Sequence, residues 1–392
     1  MSESSRLYTS TFWTACAIHF TGGMSLSMFL LLPLFIRALG GEELLIGLVL
    51  GVGMAASVAL RPTIGTLLDR AGRRRVLVWA GLVNVASYPP FLLLRSTGPA
   101  LWALATLHLV VHGALFAAYF TYVSDLVPPA RRAEGIAIFG VAGMATNGLG
   151  PALGEALTAR GGWTAFYLAA TAFAAVSAAL SSRVAPGGPR ASAHEVPATL
   201  PAGILRAAAQ TIRHGGLAPV LVVTILFGAG INAAFYFVAP FTRAVGVAHA
   251  APFFAAYAST TIGLRIGSRR VLDRLGPHRV AVPAFAVFAA GLAALTVVPR
   301  PGALLVAGIA CGAGHGTLFP VLNALAVSRT PPHLHGTTVS LYTAAMDLGG
   351  VVGTPLCGAL ARLFGYRTMF AAVALASVLA VTLMRADARR GR

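Results

Sequence analysis

Residues 216–241 contain no Asp, Glu, Lys, Arg or His. That stretch, and the others like it, limit the fold of this chain more than anything else. A run of about 20 apolar residues is long enough to cross the hydrocarbon of a bilayer as a helix. There every backbone N–H and C=O needs an internal partner, which leaves helices or a closed barrel. Barrel strands alternate apolar and polar residues; these runs are continuous. Twelve can be marked, near 10–36, 43–68, 76–95, 100–126, 133–159, 163–183, 216–241, 250–272, 280–299, 302–328, 335–361 and 366–385. The chain is 57% hydrophobic and 10% charged, where a soluble domain carries about 25% charge. The expected fold class is an all-α membrane protein of twelve transmembrane helices.

A formal net charge of +18 would suit a nucleic-acid binder. Its distribution points to a membrane. All 29 basic residues are Arg. With the N-terminus cytoplasmic, 20 of them fall on that side and 7 on the other, and the remaining two, Arg61 and Arg265, lie within apolar runs. That is a positive-inside bias. It predicts a multi-pass inner-membrane protein with both termini cytoplasmic, a lipid bilayer as its partner, and no nucleic acid. The polar start, Met1 to Ser10, carries Glu3 and lacks the basic region of a cleavable leader, so the first helix is expected to remain. Cys16, Cys311 and Cys357 show no pairing or metal-ligand spacing.

The chain repeats itself. Arg61, Asp69, Arg70 and Gly72 map onto Arg265, Asp273, Arg274 and Gly276 at one offset, 204. His112-Gly113-Ala114-Leu115-Phe116 maps onto His315-Gly316-Thr317-Leu318-Phe319 at offset 203. Phe20, Gly23 and Pro33 match Phe227, Gly230 and Pro240; Pro128-Pro129 matches Pro331-Pro332; Pro151 and Gly154 match Pro355 and Gly358. Between the copies lies a stretch rich in Pro and Gly, Ala185-Pro186-Gly187-Gly188-Pro189-Arg190, that reads as a flexible cytoplasmic linker. Within it, 200–213 could form a short surface helix. The expected organisation is a six-helix bundle over 1–184, a linker over 185–214, and a second six-helix bundle with a short tail over 215–392. Six helices per copy give both the same orientation, a parallel repeat about an axis normal to the membrane.

Gly65-x-x-x-Asp69-Arg70-x-Gly72-Arg73-Arg74, placed after the second helix, resembles the loop motif of the major facilitator superfamily. Gly150-Pro151-x-x-Gly154 in helix 5 resembles the Gly-Pro motif of its proton-coupled exporters, with Glu155 and Thr146 where that motif has glycines. An Arg expected in helix 4 is replaced by Leu109. The general likeness is to the short twelve-helix sugar-efflux-like and multidrug-like bacterial exporters. The resemblance implies that helices 1, 4, 7 and 10 line a central cavity. It also implies that Gly65, Asp69, Arg70, Gly72 and Arg73, with Asp125 as partner to Arg70 or Arg73, hold one access state closed. Asp273 and Arg274 form the second copy of that gate, a weaker one because Ser328 stands where an Asp125 would repeat.

Ionisable groups inside a membrane are costly and mark function by default. Asp347 lies mid-helix 11 and either carries a proton or partners Arg265 or the gate. Glu155 lies nearer the outer end of helix 5, within reach of water. His112 and His315 are either hydrogen-bonded core residues or groups that exchange a proton near neutral pH. Arg61 and Arg265 either extend to the interface or meet an anion in the cavity. His19, His108, Tyr119, Asn232, Tyr236 and Asn323 add weaker candidates. The glycines around Gly150, Pro151 and Gly154 suit either tight packing or helices that pivot.

No nucleophile–base pair, metal spacing or nucleotide loop occurs in the sequence, so an enzyme is not expected and no cofactor is implied. The expected function is proton-coupled efflux of a small organic molecule by alternating access, driven by the proton gradient, with a functional monomer. The alternatives are an uptake symporter on the same fold and, more remotely, a membrane sensor or membrane enzyme.

Overall fold

The computed structural model describes residues 7–128, 131–184, 216–267, 276–300, 302–331 and 334–390. The 185–214 linker, with its expected surface helix, and Asp273 and Arg274 of the second loop motif lie outside the described residues. The helices are α1 (Ser10–Met28), α2 (Leu32–Ala38), α3 (Glu43–Ala71), α4 (Arg73–Ser87), α5 (Pro99–Leu126), α6 (Arg132–Arg183), α7 (Ala218–Ala244), α8 (Ala251–Gly267), α9 (Pro277–Leu295), α10 (Ala303–Ser328) and α11 (His335–Arg390). No strand occurs among the described residues.

Nine of the described helical stretches are long and apolar enough to cross a membrane. The twelve-span expectation differs from that number at three places. The ranges of α6 and α11 run over 52 and 56 residues. A straight helix of 52 residues would be about 78 Å long, against a hydrocarbon core of about 30 Å. Each is broken at one glycine, Gly162 (φ 64°) in α6 and Gly365 (φ 82°) in α11. Only glycine adopts these angles without steric penalty, so each helix holds two of the expected spans. The third place is α8, which has 17 residues and ends where the undescribed 268–275 begin.

Two compact units emerge: Met1–Phe35 with Ala56–Thr199, and Ile36–Ala55 with Leu200–Arg392. In the first, α1 packs along α6, and α4 lies against α5 and α6. In the second, α7 packs along α11, and α9 lies against α10 and α11. These are the same neighbours once α1, α4, α5 and α6 are matched to α7, α9, α10 and α11, so the sequence repeat is also a packing repeat. Close approach is permitted by small residues, as in membrane bundles generally. A side chain at Gly228 of α7 would run into the Met346 carbonyl of α11, and one at Gly349 of α11 would run into the Ile225 carbonyl of α7.

The segment 36–55 belongs to the second unit although it comes early in the chain. Gly47 and Gly51 of α3 lie against Thr354 and Pro355 of α11, and Gly358 lies against the Glu43 carbonyl and Gly47.

The matched prolines Pro33 and Pro240 do different things. The first expected span is broken: α1 gives way to a 3₁₀ turn, Phe29–Leu31, before α2. Pro33 has no N–H to give the Phe29 carbonyl four residues back; the Leu32 N–H bonds it instead, which tightens the turn. The second, Pro240, sits inside an unbroken α7.

Candidate functional site

Three groups of polar side chains stand out, one at the first loop motif and two in the second unit. The loop between α3 and α4 is a single residue, Gly72, with φ 87° and ψ 151°. Its repeat partner Gly276 has φ 74° and ψ 153° and likewise caps the next helix. The two glycines therefore share a backbone conformation as well as a place in the motif. Beside Gly72, the Arg73 Nε donates to Asp125 Oδ2 at 2.8 Å, and Arg73 Nη1 lies 3.6 Å from Asp69 Oδ1. Arg73 also donates to the Leu68 carbonyl at 3.4 Å. Of the two partners expected for Asp125, the structure selects Arg73; Arg70 is exposed. The reason is geometric: Arg73 opens α4, which packs on α5, the helix that carries Asp125 near its end. A Cβ at Gly65 would meet nothing within 4 Å, so packing does not account for a glycine there.

The second unit solves the same problem with other residues. Arg329, beyond α10, pairs with Asp387 near the end of α11 and donates to the Gly216 carbonyl, with His278 Nε2 at 3.1 Å from Arg329 Nη2. Ser328, at the Asp125 equivalent, only bonds the Leu325 carbonyl at 2.9 Å.

At the opposite end of that unit, Arg37 pairs with Glu43, the Tyr366 hydroxyl donates to Glu43 Oε1 at 3.1 Å, and Arg362 Nε lies 2.8 Å from Glu42 Oε2. In the sequence Arg37 and Arg362 stand only among the seven arginines of the non-cytoplasmic side. The available signal was scarcity: with 11 acidic residues in 392, two adjacent ones at a helix start are unusual.

The intramembrane candidates divide by unit. In the first, Arg61 of α3 is exposed and lies within electrostatic reach of half-buried His112 on α5. In the second, Arg265 of α8 stands in the same relation to His315 on α10. The helices behind these pairs approach alike. A side chain at Gly113 would strike Ser57, and one at Gly316 would come within 3.3 Å of Thr261; Ser57 and Thr261 are themselves one repeat apart. The second unit adds two contacts absent from the pattern: the Tyr257 hydroxyl is hydrogen-bonded to His315 Nδ1, and the Arg265 guanidinium lies 5.7 Å from the centre of the Phe319 ring.

Asp347 is half-buried on α11. Glu155 is a correction. The sequence put it within reach of water, but it is 1% exposed, because this part of α6 is packed, with the neighbouring Gly154 against Leu31 and Phe166. Gly150 and Gly154 press on α1 and its extension, at Ser27, Met28 and Leu31, with Pro151 between them. Among the weaker candidates, His19 is a bonded core residue: its Nδ1 lies 3.1 Å from the Phe139 carbonyl and its ring stacks on Phe139. Tyr119 is tied to Ser177 at 3.3 Å, and Asn232 donates to the Gly228 carbonyl at 2.8 Å.

A family model described as Major Facilitator Superfamily matches residues 12–299 and 253–391. The chain belongs to the major facilitator superfamily. It is 27% identical over 367 residues to an uncharacterised MFS-type transporter of Burkholderia mallei, covering 90% of this chain and 85% of that one. It is 33% identical over 147 residues to an uncharacterised MFS-type transporter of Pseudomonas aeruginosa, where the match spans 38% of this chain and 37% of the relative. Among solved structures, it resembles an Asp-to-Ala variant of the nucleoside transporter NupG (TM-score 0.83, 13% identity, 96% of this chain and 100% of the other). It also resembles an inward-facing bacterial homologue of the lysosomal transporter Spinster (TM-score 0.76, 16% identity, 99% and 98%). The human organic anion transporter TETRAN is a third (TM-score 0.68, 19% identity, 96% and 100%). Likeness at these identities concerns the fold. Membership of this superfamily makes the chain a multi-pass membrane protein of the transport class.

Proposed function

We propose that the chain is a secondary active transporter that exports a small organic molecule from the cytoplasm in exchange for protons. The observation that carries this reading is the duplicated Arg–His arrangement, Arg61 with His112 and Arg265 with His315. Charged and titratable groups inside a bilayer are expensive. A scaffold alone has no use for them at matched positions in two six-helix halves, whereas a transporter that alternates access about a central site does. Asp347 is the proposed proton carrier, and the Arg73–Asp125–Asp69 cluster the proposed cytoplasmic gate. The Gly150-Pro151-x-x-Gly154 stretch favours export over uptake. Both termini are proposed to be cytoplasmic, in an inner membrane, with a monomer as the working form.

The test uses everted membrane vesicles from cells producing the chain, energised so that their interior is acid. Export predicts that a transported compound accumulates inside them, and that a protonophore abolishes accumulation. Uptake symport predicts accumulation only in right-side-out vesicles. Asp347→Asn is expected to remove the response to the proton gradient; accumulation that still tracks the gradient in that variant rules Asp347 out as the carrier.

A further inference from the structure

We propose that the second unit holds a binding site for an oxyanion, a carboxylate or its sulfonate or phosphonate analogue, carried on a flat apolar body, and that Arg265 is the residue that receives it. The proposal names a substrate class for the transport reading above and rests on that reading for its consequence, not for the binding itself.

Arg265 is the only charged residue of α8, Ala251–Gly267. Its Nε is buried and has no hydrogen-bond partner, and it forms no ion pair among the described residues. Arg37, Arg73, Arg131, Arg329 and Arg362, by contrast, each meet a carboxylate. Arg265 is half-buried as a residue, and a guanidinium partly withdrawn from water without a counter-charge carries part of the cost of an unpaired buried charge.

The polar neighbours do not supply the other half. Tyr257, His315 and Tyr342 lie within electrostatic reach of Arg265, yet each is committed elsewhere. Tyr342 donates to the Phe319 carbonyl at 2.8 Å, and Tyr257 and His315 bond each other. None is a carboxylate.

The remaining surroundings are aromatic. The Phe319 ring lies 5.7 Å from the guanidinium, and the Phe227 and Phe319 rings stand edge-on to His315 at 5.8 and 6.1 Å. A cation–π contact satisfies the guanidinium without using its N–H donors. Those donors form a planar fork that fits two oxygens of one oxyanion. An oxyanion head on that fork would leave the rest of the ligand beside aromatic rings, which suits a flat apolar body.

The first unit does not repeat the arrangement. Arg61 is exposed, Gly53 stands at the Tyr257 equivalent, and Phe116, the Phe319 equivalent, is exposed. The site therefore belongs to the second unit and is not a consequence of duplication.

Full-length protein in detergent, titrated calorimetrically with benzoate, benzenesulfonate and phenylphosphonate, tests the proposal, with benzamide and benzylamine as neutral and cationic counterparts. The oxyanions are expected to bind and the counterparts not. Arg265→Gln is expected to weaken oxyanion binding about ten- to hundredfold, the loss of a charged hydrogen bond. Arg265→Lys is expected to keep part of it, since the charge stays and the fork is lost. Arg243→Gln, an exposed position of the same unit, is the control. Should Arg265→Gln fail to fold, Arg265→Lys and Phe319→Leu carry the test: the first must weaken all three oxyanions, the second must weaken benzoate more than acetate. The proposal falls if no oxyanion binds the natural protein, if benzamide binds as benzoate does, or if the Arg265 variants bind oxyanions unchanged. Arg265-dependent binding without flux in proteoliposomes upholds the site and sinks the transport reading. Flux of other compounds without oxyanion binding sinks the site alone.

Discussion

His108 is fully buried on α5, stacked on Phe29 with ring centres 3.5 Å apart, and neither of its ring nitrogens has a hydrogen-bond partner among the described residues. Near it, Tyr88 donates to the Ser25 carbonyl and Asn84 to the Ser25 hydroxyl, which leaves Asn84 Oδ1 unpaired as well. An unpaired buried polar group costs about 1–3 kcal/mol, so His108→Leu, similar in size and without polar atoms, is expected to raise the thermal unfolding midpoint. A lowered midpoint would mean that the imidazole has a partner that matters. The Arg73–Asp125 pair should behave differently. Its side chains are 15% and 33% exposed, so solvent screens the pair, and a double-mutant cycle with Arg73→Gln and Asp125→Asn is expected to give a coupling of about 1 kcal/mol or less. A coupling several times larger would show that the pair is shielded from water in the working protein. Arg73 was legible as one of two partners for Asp125 because the loop motif it belongs to resembles that of a known family; that the pair excludes Arg70 was not. The Tyr257–His315 bond was not, because its partners are 58 residues apart and nothing at Gly53 repeats the tyrosine.

At the scale of elements, glycines that look alike in the sequence separate by what surrounds them. Gly65 lies inside α3 with open space around its missing side chain. Gly65→Ala is therefore expected to raise stability by about 1 kcal/mol through helix propensity, and any loss of flux in that variant reads on function and not on folding. Gly72 and Gly276 have positive φ, where a Cβ costs about 1–2 kcal/mol. Gly72→Ala and Gly276→Ala should lower the melting midpoint by similar amounts, and a neutral result at either would mean that its loop adopts another conformation in solution. The sequence reports these loops well because one backbone need produced one letter twice. It reports helix ends poorly where the same letter meets different surroundings: Pro33 follows a 3₁₀ turn and Pro240 sits in an intact helix. The break at Gly162 falls in the gap between the expected spans 133–159 and 163–183, but an apolar pattern does not show which face of α6 packs, so the burial of Glu155 was not legible.

At the scale of the whole molecule, the sequence repeat divides the chain near 185–214, whereas the packing takes Ile36–Ala55 into the second unit. The contacts that do so are intimate. Gly47 and Gly51 admit Thr354 and Pro355 at distances that no side chain would allow, and Glu42 and Glu43 bind Arg362 and Tyr366. Nothing in the repeat announces this, because Glu42 and Glu43 meet residues more than 300 positions away that have no counterpart pairing in the first half. It follows that the C-terminal part of the chain, produced alone, lacks a piece of its own core. Helix α11 would present Pro355 and Gly358 to lipid in place of α3, and membrane helices held by backbone-close packing lose that contact entirely when the partner is absent. Produced as two chains cut within 185–214, the parts are expected to co-purify through a tag on either one, and the C-terminal part alone to aggregate or melt at a clearly lower temperature. Gly47→Leu in the N-terminal part should prevent the rescue, since the new side chain collides with the Thr354 carbonyl, while Gly65→Ala should not. A C-terminal part that purifies alone as a single species, with the midpoint of the co-purified pair, would show that Ile36–Ala55 is not part of the second unit's core.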